Sequence, residues 1–163
     1  MRTVGVILLS LLPVLWGIDY NSAQKKRVAF LENFILFIVF VREQIRFSGR
    51  ELLEIFSLAL REPSFANPVY EKLFLGMKQG KDLRKIIKDD SGIRLNDAET
   101  TAVCAFLDGL GKNDVEGQKA HADYYKEHIS GLAKKLQGEV LVKTRLITSL
   151  TVSLAAALFV LMI

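Results

Sequence analysis

Hydrophobic and polar residues are sorted along this chain on two scales. On the coarse scale, residues 4–18 (VGVILLSLLPVLWGI) and 146–163 (LITSLTVSLAAALFVLMI) carry no charge, whereas charges crowd the stretch between them. An uncharged apolar run of about eighteen residues is close to the length a helix needs to cross a hydrocarbon layer. Trp16 and Tyr20 stand where amphipathic aromatics favour the water boundary, and a proline such as Pro13 is tolerated in a helix in lipid. The pattern predicts a transmembrane helix over residues 1–18, a helical-bundle domain over 19–145 and a second transmembrane helix over 146–163. A second reading of the first run stays open: Arg2 before an apolar stretch, with Asn21-Ser22-Ala23 behind it, also suits a cleaved signal peptide.

On the fine scale the middle of the chain has helical periodicity throughout, and no alternation of period two that would call for strands. Phe30, Leu31, Phe34, Phe37, Ile38, Val41 and Ile45 recur on one face of a helix running from about Ser22 to Arg46. The run 34–41 is apolar all round, too short to span a membrane, and predicts a helix buried on several sides. Ser48-Gly49-Arg50-Glu51 has the form of a capping box, so the next helix starts there and ends before Pro63. Asn67-Pro68 is another start, with Gly80 as its stop. A short helix follows through about Asp89, and Asn96-Asp97-Ala98-Glu99 caps one that ends near Gly109 to Gly111.

After Asn113-Asp114-Val115-Glu116 no proline occurs as far as Ile163, so one long helix is expected to run from the domain into the membrane. Along it Ala122, Tyr125, Ile129, Leu132 and Leu136 form a narrow apolar seam. Gly117, Gly131 and Gly138 share a stripe on roughly the opposite face, which either marks the close approach of another helix, a neighbouring protomer included, or is simply tolerated. Ser149, Ser153 and Ala157 repeat every four residues, a small-xxx-small pattern that admits another helix in lipid. The fold class is therefore all-α, a bundle flanked by two membrane helices.

Composition changes this picture little. The formal charge of +4 comes from lysines and arginines scattered among acids, with no basic stripe interleaved with aromatics, so nucleic acid is not an expected partner. The flanks carry a clearer signal. Lys25, Lys26 and Arg27 on one side and Lys134, Lys135, Lys143 and Arg145 on the other lie on the inner flanks, between the apolar runs, against only Arg2 and the amino terminus outside, which predicts a cytoplasmic domain with both termini across the membrane. The single cysteine, Cys104, sits in an apolar helical stretch and reads as a buried structural thiol. His121 and His128 are seven apart, match no metal motif and read as a solvated face. Asp89, Asp90, Asp97, Glu99 and Asp114 gather at helix ends, where capping accounts for them. With no phosphate-binding loop and no G-x-S-x-G elbow, the sequence assigns no catalytic, cofactor-binding or metal residue, and the expected role is non-enzymatic.

The segment Phe106-Leu107-Asp108-Gly109-Leu110-Gly111-Lys112-Asn113-Asp114, with Gln118 and then His121, resembles the Leu-Gly-x-x-Asp-x-x-x-Gln signature of the stage III sporulation protein AB family. Upstream, Glu43-Gln44-Ile45-Arg46-Phe47 resembles that family's Glu-x-Ile-x-aromatic helix ending, and length and terminal apolar runs agree, so the resemblance covers nearly the whole chain. The last apolar run departs from it in lacking glycine. The resemblance implies a subunit of the channel complex across the double membrane between mother cell and forespore in endospore-forming bacteria. It also implies similarity to the inner-membrane platform protein of type II secretion, with a secretion-type ATPase and other stage III channel subunits as partners alongside the lipid bilayer. Leu110, Gly111, Asp114 and Gln118 would then shape a joint or docking surface. The rival expectation is an extracytoplasmic, membrane-anchored helical module for adhesion or envelope binding.

Overall fold

The computed structural model describes the backbone of residues 2–48, 52–65, 67–90 and 92–162, with their side chains except those of 2–18, 46–48, 52, 155, 158, 159, 161 and 162. The elements in order are α1 (Arg2–Ser48), α2 (Leu52–Ala59), a 3-10 turn (Pro63–Phe65), α3 (Pro68–Lys78), α4 (Leu83–Asp89), α5 (Asp97–Gly109) and α6 (Val115–Met162). No strand occurs among the described residues.

Local chemistry sets most of the boundaries. Asn67 Oδ1 accepts from the Val69 N–H at 3.0 Å and Pro68 takes the first helical position, so α3 begins where its unpaired donors are fewest. It stops before Gly80, whose φ of 64° lies in the left-handed region. At the start of α5 the expected capping box forms in full: Asn96 Oδ1 accepts from Glu99 N–H at 2.8 Å, and Glu99 Oε2 accepts from Asn96 N–H at 3.0 Å. The box expected at Ser48-Gly49-Arg50-Glu51 lies outside the described residues. One boundary expected from sequence is absent. The sequence reading separated a membrane helix ending at Ile18 from a soluble one starting near Ser22, but α1 is continuous through Asp19-Tyr20-Asn21, where no glycine or proline interrupts it.

α1 and α6 lie antiparallel along each other. Asn21 Nδ2 reaches Thr148 Oγ1 at 3.5 Å, Gln137 Nε2 donates to Glu32 Oε1, and Arg42 Nε lies 2.9 Å from Asp123 Oδ1. As residue numbers climb on α1 they fall on α6, in nearly constant register over about 30 Å at 1.5 Å per residue. The seam forecast on α6 lies against this core, with Ala122, Ile129 and Leu136 buried and Tyr125 and Leu132 partly so. Among the described residues, no atom lies within 4 Å of where a Cβ on Gly131 or Gly138 would stand, apart from their own helix backbone and chain neighbours, so no other described helix approaches them.

The short helices pack on the inner face of α1 through rings. Phe37 lies 4.8 Å from Phe56 of α2, 5.7 Å from Phe65 of the 3-10 turn and 5.4 Å from Tyr70 of α3, while Phe34 meets Phe106 of α5 edge-on at 5.7 Å. Offset and edge contacts of this kind each add about 1 kcal/mol beyond burial. The apolar run 34–41 is buried on several sides, as expected, with Leu36 and Val39 left facing solvent. Cys104 is buried as expected, and burial pushes its thiol up to about 11.

Among the described residues no helix is long and apolar enough to cross a membrane. The side chains of the whole first apolar run, and of five positions from 155 to 162 in the second, lie outside those described.

One ion pair ties α1 to α5. Arg27 Nε donates to Glu99 Oε2 at 2.7 Å and Arg27 Nη2 to Glu99 Oε1 at 2.6 Å, and Glu99 is almost fully buried. Removing one partner of such a pair strands a charge away from water at a cost of about 3 kcal/mol. Arg27→Ala should therefore lower unfolding stability by that amount in a urea titration, whereas Lys85→Ala, at an exposed site, should change it little; equal effects would deny the pair its role. A weaker clamp joins α3 to the end of α4, where Lys72 Nζ sits 2.8 Å from Asp90 Oδ2 and holds that carboxyl below the usual range. Its contribution is present above the ordinary aspartate range and is lost as pH falls through the lowered value. In Lys72→Met the Asp90 titration followed by NMR should move back up.

Candidate functional site

The signature residues converge on one feature, the turn joining α5 to α6. Leu110 ends α5, its N–H bonded to Leu107 O at 3.3 Å and its side chain buried as a plug beneath the turn. Gly111 has φ 76°, a conformation that costs other residues about 1–2 kcal/mol, so glycine belongs there. Asp114 caps α6: its Oδ1 accepts from Gly117 N–H at 3.0 Å, and its carbonyl accepts from Gln118 N–H at 2.8 Å.

Gln118 is buried and closes the turn from inside. With its carboxamide assigned so that oxygen faces donors, that oxygen accepts from the backbone N–H groups of Gly111, Lys112 and Asn113 at 2.9, 3.0 and 3.1 Å. Three donors that no helix could satisfy thus meet one acceptor on the next helix. The spacing in the signature follows: the cap at Asp114 fixes the start of α6, and Gln118, one turn on, points back into the loop.

Two further residues, not part of the signature, lock the joint. His121 Nε2 lies 3.0 Å from Phe106 O, which makes that nitrogen the donor, and its ring stacks on Phe106 at 5.6 Å. A Cβ on Gly109 would strike the same ring. The expectation that His121 lies on a solvated face is therefore corrected: it is partly buried and packs on Gly109. His128 does face solvent, stacked on the exposed Tyr124. The signal for His121 was its position three after Gln118, on the same helical face.

Asp114, Gln118 and His121 are each bonded to backbone at this joint. Among the described residues no group of three or more His, Cys, Asp or Glu side chains is placed to hold a metal ion. What the joint offers outward is shape: exposed Lys112, Asn113 and Val115, with Glu116 bonded to Lys119. The other predicted set, Ser149, Ser153 and Ala157, lies about 52 Å away along α6. All three are exposed, while Thr151 between them is buried.

The Gly109 to His121 contact gives a sharp test. Gly109→Ala should destabilise by about 1–3 kcal/mol through overpacking. In an His121→Ala background most of that penalty should vanish, so the double-mutant cycle shows a large coupling; additive losses would mean the ring does not require the glycine.

No curated protein and no solved structure matches this chain at a meaningful level. The family model for Stage III sporulation protein AB matches residues 2–163. Its span takes in the turn and both apolar runs, and the chain belongs to the stage III sporulation protein AB family.

Proposed function

We propose that this sporulation protein is a non-enzymatic membrane platform, anchored by its two terminal apolar runs and presenting the α5–α6 joint to a secretion-type ATPase in the cytoplasm of the mother cell. The observation that carries this reading is the antiparallel register of α1 and α6. Because Asn21 lies opposite Thr148, the runs 4–18 and 146–163 leave the bundle side by side at one end. Val115, where α6 starts, stands about 46 Å from Leu146, so the signature joint occupies the opposite end. A hairpin of apolar helices with a rigid tip at the far end suits a subunit that holds a partner at a fixed distance from a membrane.

Surface chemistry supports the same division. Leu146, Leu150 and Val160 are 57%, 68% and 74% exposed, and Val152 and Leu154 between them are exposed as well, so apolar surface recurs along this run. Lipid covers such a surface, and the exposed small stripe of Ser149, Ser153 and Ala157 leaves room for a helix of another channel subunit.

Two measurements test the reading. Buried Cys104, with its thiol pKa raised, is a poor reporter, so Lys112→Cys is placed in a Cys104→Ala background. An impermeant maleimide should leave intact cells unlabelled and label them after lysis; labelling of intact cells would favour the extracytoplasmic adhesion module. The full chain, solubilised in detergent, should retain the secretion-type ATPase of the same sporulating cells in a pull-down, and Lys112→Glu with Val115→Asp should release it. Retention by both forms would place the contact elsewhere, and retention by neither would end the ATPase reading.

A further inference from the structure

We infer that Lys25, Lys26, Lys143 and Arg145 form a collar that binds the phosphate groups of anionic phospholipids; this rests on the membrane reading above and specifies the lipid it requires. The register places all four at one level. Lys25 and Lys26 lie about one turn inside Asn21 on α1, and Arg145 and Lys143 about one turn inside its partner Thr148 on α6, so the four fall within roughly 8 Å along the helix pair. All are exposed. At about 100° per residue, Lys25 and Lys26 point about 100° apart and Lys143 and Arg145 about 200° apart, so the charge is spread around the pair instead of forming a one-sided patch.

Their ionic state separates them from the cations of the bundle. Arg27, next in sequence to Lys26, is committed to Glu99, and Arg42, Lys72 and Lys88 have Asp123, Asp90 and Asp97. Among the described residues, Lys25, Lys26 and Arg145 have no carboxylate within ion-pair distance, and Lys143 has Glu139 at 3.2 Å, one turn further from the apolar run. Asp19 is the one exposed carboxylate on the apolar side of the collar among the described residues.

What lies beyond the collar identifies the partner. Arg145 is followed directly by exposed Leu146 and, one turn on, by exposed Leu150. On α6 the step from unpaired Arg145 to exposed Leu146 and Leu150 takes about one turn and matches the step from phosphate to acyl chain in a bilayer, and Lys25 and Lys26 of α1 stand at the same height beside it. Long basic side chains lay their methylenes along the apolar part and extend their charge to the headgroups. An acidic protein would match the charge but not the exposed leucines that follow it on α6.

The test uses the full chain inserted into vesicles of phosphatidylcholine containing a minor fraction of phosphatidylglycerol. Patches around the protein are excised with an amphipathic copolymer and their lipid ratio is measured. Wild type should enrich phosphatidylglycerol, each basic residue contributing up to about five-fold in lipid preference at low salt, and high salt should erase the effect. Lys25→Gln, Lys26→Gln, Lys143→Gln and Arg145→Gln together should abolish enrichment. A control of equal charge change, Lys78→Gln, Lys81→Gln, Lys85→Gln and Lys112→Gln, should retain it. If the collar variant floats with the vesicles and enriches phosphatidylglycerol as wild type does, the collar is refuted and the membrane reading stands. If wild type fails to float with either neutral or anionic vesicles after alkaline washing, the membrane reading fails and the collar with it.

Discussion

Glu99 has two carboxylate oxygens in a place water scarcely reaches, and the groups that satisfy them decide how the bundle is assembled. One partner is the Arg27 guanidinium, which takes both oxygens in a fork and brings α1 against the start of α5. The other is the backbone N–H of Asn96, which makes the same side chain the reciprocal half of the cap that starts α5. A buried carboxylate left with only one of these would carry a heavy desolvation cost, so the cap and the helix–helix contact form together or not at all. Everything downstream inherits that placement: α5 presents Phe106 to Phe34, its last turn presents Gly109 to His121, and α6 is delivered back along α1.

The far end of the bundle solves a related problem by different means. A sharp turn between helices leaves backbone donors without helical partners, and here a single carboxamide on the following helix collects three of them. The turn is therefore rigid without a buried charge. At one end of α5 an ion pair fixes direction, and at the other a neutral side chain fixes a loop. Between them the helix has no freedom to slide.

How much of this could be read from the sequence depended on whether the signal was local. The caps at Asn67 and Asn96 and the stop at Gly80 follow from a few adjacent residues, and the structure has them where the sequence put them, while within the Asn113-Asp114-Val115-Glu116 segment the structure picks out Asp114 as the cap. The continuity of α1 was missed because an apolar-to-polar change at Asp19 looks like an element boundary, although nothing in the backbone chemistry there ends a helix. Leu36 and Val39 look like core by hydrophobicity, but which side of a wholly apolar stretch is covered depends on elements far away in sequence. Glu99 was legible as a cap and illegible as a salt bridge, since Arg27 is 72 residues away. Gln118 was recognised through resemblance, and its work, accepting from three N–H groups, could be seen only once the loop had a shape.

The uninterrupted course of α1 and α6 also restricts how such a chain can change in length. Adding one residue to a helix turns everything beyond it by about 100°. An insertion between Arg27 and Arg42 would leave one of these arginines facing its acid and swing the other a quarter turn away, with the apolar face of the core rotating in between. The segments between α2 and α3 and between α4 and α5 have no such phase to keep, and extra residues there lengthen a loop at small entropic cost. Relatives of this chain should thus differ in length in those connections and keep the spacing within both long helices, because the two ends of each helix are geared to each other.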